Sequence, residues 1–198
     1  MAGTGGGARR ATGTALLLVS LALSGCTPEP PAGEGPPSPS ESVALRVRTV
    51  HVAGSLDPEA RAAAESEVGD VLSDYVVGAF LGDYPREDFV GSFEAFTGNL
   101  ARDAVRDINQ LTANSLRSAE AVRATRLDAN LSFVVDGSDI VGASASVRFA
   151  FEATVGGDER RLGMRGRILL IEEDDVWSVY GYDVVTDTGE AVDAEVTP

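Results

Sequence analysis

Residues 126–152 read RLDANLSFVVDGSDIVGASASVRFAFE, and the period of this stretch decides the fold. Leu127, Ala129, Leu131, Phe133 and Val135 alternate with Arg126, Asp128, Asn130 and Ser132. A period of two places one set on each side of an extended strand. Asp136-Gly137 is a hairpin signal, because a tight turn needs positive φ and glycine accepts it without strain. Beyond the turn, Ala143, Ala145, Val147, Phe149 and Phe151 alternate with Ser144, Ser146, Arg148 and Glu152. Two antiparallel strands with one apolar and one polar face follow from this pattern.

The same period continues toward the C-terminus. Gly156-Gly157-Asp158 turns the chain, and Leu162, Met164, Ile168 and Leu170 then alternate against Arg161, Arg165 and Arg167. Acidic Glu172 to Asp175 supplies a further turn before a last strand over Val176 to Val185. The reading is a four-stranded antiparallel meander.

Toward the N-terminus the period lengthens to that of a helix. Asp57 can cap exposed amides and Pro58 suits a first helical position. Ala64, Val68, Val71, Leu72, Tyr75, Val76, Ala79 and Phe80 follow helical spacing, which predicts a helix from Pro58 to about Gly82. A second helix is expected from Pro85, with Phe89, Phe93 and Phe96 on one face. Thr97 can cap a third, whose stripe is Leu100, Ala104, Val105, Ile108 and Leu111. Val43 to Ala53 reads as a separate strand. Helices followed by a meander give an α+β domain over residues 43–188, with the helices packed on one sheet face and a short tail over 189–198.

The first 25 residues contain no acid. Arg9 and Arg10 precede an apolar run from Ala11 to Leu23, whose 13 residues fall short of the about 20 a helix needs to cross a bilayer. This is the form of a secretion signal over residues 1–25. It ends in Leu23-Ser24-Gly25-Cys26, which resembles the lipobox of bacterial lipoproteins. The resemblance implies cleavage before Cys26 and attachment of diacylglycerol to its sulfur. Cys26 is the sole cysteine. A lone cysteine in an exported protein has no internal partner, and lipidation gives it a role. The expected location is the outer face of the cytoplasmic membrane. Residues 26–42 form the lipidated cysteine and a linker holding six of the nine prolines. Such a segment favours extended geometry and reaches at most about 50 Å.

The net charge of −15 becomes −17 once Arg9 and Arg10 leave with the signal. A chain so acidic repels phosphate backbones, which argues against a nucleic-acid partner. All sixteen basic residues are arginine, a bias that matches GC-rich coding.

A long first helix, shorter helices and then a meander is similar to the cone-shaped, cystatin-like fold of nuclear transport factor 2 and ketosteroid isomerase. Trp177-Ser178-Val179-Tyr180-Gly181-Tyr182-Asp183-Val184 resembles the closing strand of that group. The order also resembles actinobacterial envelope proteins associated with mammalian-cell-entry transport systems. The resemblance spans residues 57–186; the strand at Val43 to Ala53 departs from its simplest pattern.

Catalytic and metal chemistry find little support in the residues. His51 is the only histidine and has no second ligand nearby in sequence. No Gly-x-Ser-x-Gly elbow is present. Glu172 to Asp175 lacks the alternating ligands and central glycine of a calcium loop. An isomerase-like site would draw a base from Asp128, Glu152 or Asp183 and donors from Tyr75, Tyr180 or Tyr182. No cofactor is expected. The strongest binding feature is a shared face: Arg161, Arg165 and Arg167 have one parity, and Arg126 and Arg148 can join them from neighbouring strands. Cross-strand pairing with Asp128 and Glu152 is the plainer account of the same residues. The functional expectation is a non-catalytic interaction module in the cell envelope, anchored by the lipid on Cys26 and meeting an envelope protein. The alternative is a small-ligand carrier or isomerase-like enzyme, with a pocket lined by Phe89, Phe93, Phe149 and tyrosines.

Overall fold

The computed structural model describes residues 42–190. The signal segment, Cys26, the linker up to residue 41 and the tail beyond Glu190 lie outside the described residues. The order of elements is β1 (Arg46–Ala53), α1 (Pro58–Phe80), α2 (Gly98–Ala104), α3 (Ile108–Leu111), β2 (Ala121–Asp136), β3 (Asp139–Val155), β4 (Asp158–Glu173) and β5 (Val176–Glu190). Short 3₁₀ turns occupy Val90–Phe93 and Ala113–Leu116. The fold is α+β, a few helices followed by a mixed sheet in the order β1-β2-β3-β4-β5. Strands β2 to β5 form the antiparallel meander, and β1 lies parallel to β2 at its edge.

Local chemistry explains the boundaries. Asp57 Oδ1 accepts from the amides of Glu59 and Ala60 at 2.9 and 3.0 Å, so α1 starts where the Asp-Pro pair places it. The three hairpins turn at Gly137-Ser138, Gly156-Gly157 and Asp174-Asp175. Gly137, Gly156, Gly157 and both aspartates hold positive φ, the conformation these turns demand. The strands run longer than the alternating runs that reveal them. β2 begins at Ala121, and β5 continues to Glu190, two residues past the expected domain end.

The expected second helix at Pro85 is not formed. Asp88 Oδ1 accepts the Val90 amide at 2.8 Å and only a 3₁₀ turn follows. The next residues are needed as extended chain against β5: Ala95 accepts the Val179 amide and Val179 accepts the Thr97 amide, both at 2.8 Å. Phe89, Phe93 and Phe96 are nevertheless buried, because irregular chain carries them into the core. The third helix is split into α2 and α3, and Val105 at the break is exposed. The Thr97 side chain makes no capping bond; its carbonyl accepts the Ala101 amide instead.

One cluster holds the core together. Val68, Leu72, Tyr75 and Phe80 of α1 join Leu131, Phe133, Phe149, Phe151, Leu162, Met164 and Leu170 of the sheet. Phe80 stacks on Phe151 with centroids 4.5 Å apart. The Tyr75 hydroxyl donates to the Leu111 carbonyl at 2.5 Å, so its burial leaves no orphaned polar atom. β4 carries one glycine that no other residue replaces. Gly166 has φ +144°, and a Cβ there would lie 2.1 Å from the Asp183 carbonyl oxygen.

Both sheet edges make contacts beyond the sheet. The Glu65 carboxylate of α1 accepts the Thr49 amide and hydroxyl at 2.8 and 2.6 Å on the β1 side. On the β5 side stand residues 95–97, the Gln110 side chain donating to the Val184 carbonyl, and the Thr186 hydroxyl donating to the Gln110 carbonyl. The β5 edge, so covered, is a poor template for strand addition. What stays open is the sheet face opposite the helices.

Candidate functional site

Strand parity sends every second residue of the sheet to the open face. The five arginines singled out from the sequence, Arg126, Arg148, Arg161, Arg165 and Arg167, are all there. The register brings three more. Arg46 and Arg48 of β1 pair with Asp128 and Asn130, and Arg123 of β2 pairs with Glu152. Eight arginines thus share one face with carboxylates that include Asp128, Glu152, Glu159, Asp183 and Asp187. In a chain of net charge −15 this face carries an excess of positive charge.

The register also fixes who neighbours whom. One row across the sheet runs Arg46, Asp128, Arg148, Arg165 and Val185. The next runs Arg48, Asn130, Ser146, Arg167 and Asp183. Asp128 stands beside Arg148 in register, yet its oxygens are taken by others. Arg46 Nη2 reaches Oδ1 and Arg126 Nε reaches Oδ2, both at 2.8 Å. Burial alone would raise the Asp128 pKa, but the Arg126 hydrogen bond and the Arg46 and Arg126 charges hold it below the ordinary value. Glu152 contacts Arg123 closely and meets Arg161 at 3.7 Å. Arg165 pairs with Asp187 at 2.6 Å, and Arg167 with Asp183 at 3.3 Å. Pairing therefore accounts for four of the five sequence-named arginines. Among the described residues, Arg48 and Arg148 have no carboxylate within 4 Å.

These two face a hollow of about 600 Å³ on the open side of the sheet, bordered also by Arg126, Arg165, Asn130 and Ser146 and by the carboxylates Asp128 and Asp183. It is polar and open, and guanidinium forks of this kind match oxyanions.

The groups considered for isomerase-like chemistry do not converge. Asp128, Glu152 and Asp183 stand on the open face, whereas Tyr75 lies in the core on the other side of the sheet. The Tyr182 hydroxyl donates to Asp107 Oδ2 at 2.7 Å, and Tyr180 is exposed. Phe89, Phe93 and Phe149 are buried in the core cluster with other rings; Phe93 and Phe96 centroids are 5.1 Å apart. His51 is an exposed residue of β1, next to a register shift in that strand. No group of three or more His, Cys, Asp or Glu suited to a metal ion occurs among the described residues, and no described helix is long and apolar enough to cross a membrane.

Sequence reasoning missed Arg46, Arg48 and Arg123. The alternation in Arg46-Val47-Arg48-Thr49 was the available signal for the first two. Arg123 has the opposite numerical parity to Arg126, and only the irregularity between Ala124 and Arg126 puts both on one face. Neither a protein-family model, nor a curated protein, nor a solved structure matches this chain.

Proposed function

We propose that the chain is an extracytoplasmic lipoprotein, held to the outer face of the cytoplasmic membrane through Cys26. Its folded domain works there as a non-catalytic interaction module of the cell envelope, with the arginine face as its recognition surface. The observation that carries the second part is the uncovered face. Helices occupy one side of the sheet, yet eight arginines lie on the other side of it on an acidic protein. The aromatic residues in line for a ligand pocket are buried in the core cluster, which favours surface recognition over an enclosed small molecule. The domain is read as a relative of the nuclear transport factor 2-like cone with one added parallel strand. The order of helices and meander supports that reading, and β1 is its departure.

Two measurements test the proposal. Mass spectrometry of the membrane-associated protein should find residues 1–25 removed and a diacylglyceryl group on Cys26, and Cys26→Ser should release the protein from membranes. A mature chain with a free thiol would overturn the anchor. Pulldown from detergent-solubilised envelopes should return one reproducible partner, lost when Arg126, Arg161 and Arg165 are all replaced by Glu. Equal capture by the variant would overturn the role of the face.

A further inference from the structure

We propose that the hollow at the centre of the arginine face is a phosphate-binding site formed by Arg48, Arg148 and Arg165, with Asn130 and Ser146 as neutral hydrogen-bonding partners. This deepens the reading of that face as the recognition surface and rests on it; it does not depend on the lipid.

Three observations converge on it. First, Arg148 and Arg165 are register partners on β3 and β4. Like charges directly opposite across an antiparallel pair are destabilising unless an anion lies between them. Second, the carboxylate that could neutralise Arg148 is committed elsewhere. Asp128 is its register partner on β2 but bonds Arg46 and Arg126. Arg48 is likewise opposite Asn130, a neutral residue. Two arginine forks with no ion-pair partner, Arg48 and Arg148, therefore border one hollow of about 600 Å³ together with Arg165, which stands opposite Arg148 and also holds Asp187. Third, Asp128 and Asp183 also line the hollow but are held by arginines, Arg46 and Arg126 for the first and Arg167 for the second, and the remaining polar neighbours are a side-chain amide and a hydroxyl. These donate to phosphate oxygens without adding negative charge.

Free phosphate offers up to four acceptor oxygens to converging forks, and a headgroup phosphodiester offers two anionic oxygens in tetrahedral geometry, where a carboxylate offers two in one plane. The phosphate can belong to a lipid headgroup or be free in solution, and the test separates the two. It uses the mature chain with Cys26→Ser, which carries no acyl chain. Nuclear magnetic resonance of the arginine Nε–H groups is followed against inorganic phosphate, with acetate at matched ionic strength as control. Binding is also measured to vesicles of phosphatidylcholine with and without phosphatidylglycerol.

The expected result is saturable, selective movement of the Arg48 and Arg148 signals in phosphate, with little in acetate. Arg48→Gln with Arg148→Gln should weaken the effect by about tenfold or more, and Arg106→Gln on the far side should leave it unchanged. An unaltered thermal transition in the double variant shows that the fold is intact. Binding to phosphatidylglycerol vesicles that free phosphate competes away assigns the site to a headgroup. Phosphate binding without vesicle binding assigns it to a soluble phosphate. Equal response to acetate, an undiminished response in the double variant, or no saturable movement overturns the site. If partner capture survives while phosphate moves nothing, this inference fails and the interaction reading stands.

Discussion

Phe151 and Glu152 are neighbours on β3, as are Val147 and Arg148, and each pair divides between the two faces of one sheet. On the inner face the side chains are apolar, almost without exposure and in contact with α1 or the loops. On the outer face they are charged, solvated and arranged in rows by the same register. The comparison separates two kinds of constraint acting on alternate residues. Burial dictates volume and polarity on the inner face, because a lost methylene or an unpaired polar atom costs stability. Solvent imposes no such demand on the outer face. A row of arginines there is not required by the fold, and its excess over carboxylates is where recognition can be written.

Substitutions on each face test this contrast. The largest effect is expected inside: Phe151→Ala removes the ring stacked on Phe80 and should cost about 3–5 kcal/mol in denaturant unfolding. A cost under about 1 kcal/mol would mean the inner face tolerates cavities and does not set the fold.

An intermediate effect is expected at Tyr182, on the rim between core and solvent. Burial, then the hydrogen bond to Asp107 and that residue's charge, push its phenol from 10.0 to about 12. A group whose pKa is raised on folding contributes stability that is complete below the unfolded value. That contribution is lost as pH rises from 10.0 toward about 12. Wild type should therefore lose stability faster than Tyr182→Phe over this interval. Parallel losses in thermal scans would show that folding does not raise the Tyr182 phenol.

The smallest effect is expected outside. Arg167→Gln breaks an exposed pair with Asp183 at 3.3 Å and should shift stability by no more than about 0.5 kcal/mol. A loss comparable to that of Phe151→Ala would erase the distinction between the faces.

Much of the fold is legible in the chain because its signals are local. The Asp57-Pro58 start of α1, the alternation of β2 to β4 and the glycine turns each rest on a few consecutive residues. The segment between Phe89 and Leu111 is not legible in the same way. Helical spacing there correctly marks Phe89, Phe93 and Phe96 as buried, but pairing across to Val179 decides that the backbone is extended near Phe96. The binding face divides likewise. Parity groups Arg161, Arg165 and Arg167, and hairpins with short turns bring Arg126 and Arg148 beside them. Arg46 bonds Asp128 across 82 residues of chain, a parallel pairing that no local pattern announces.

The α+β class, the start of the first helix, the hairpin turns and the alternation that gives the sheet two unlike faces are all written in the order of the residues. These follow from backbone preferences and hydrophobic period, which act over a few residues. Only the tertiary structure decided where β1 pairs, which arginines Asp128 engages and which are left without a carboxylate. Those outcomes depend on register between strands far apart in the chain, and register is settled by packing of the whole core.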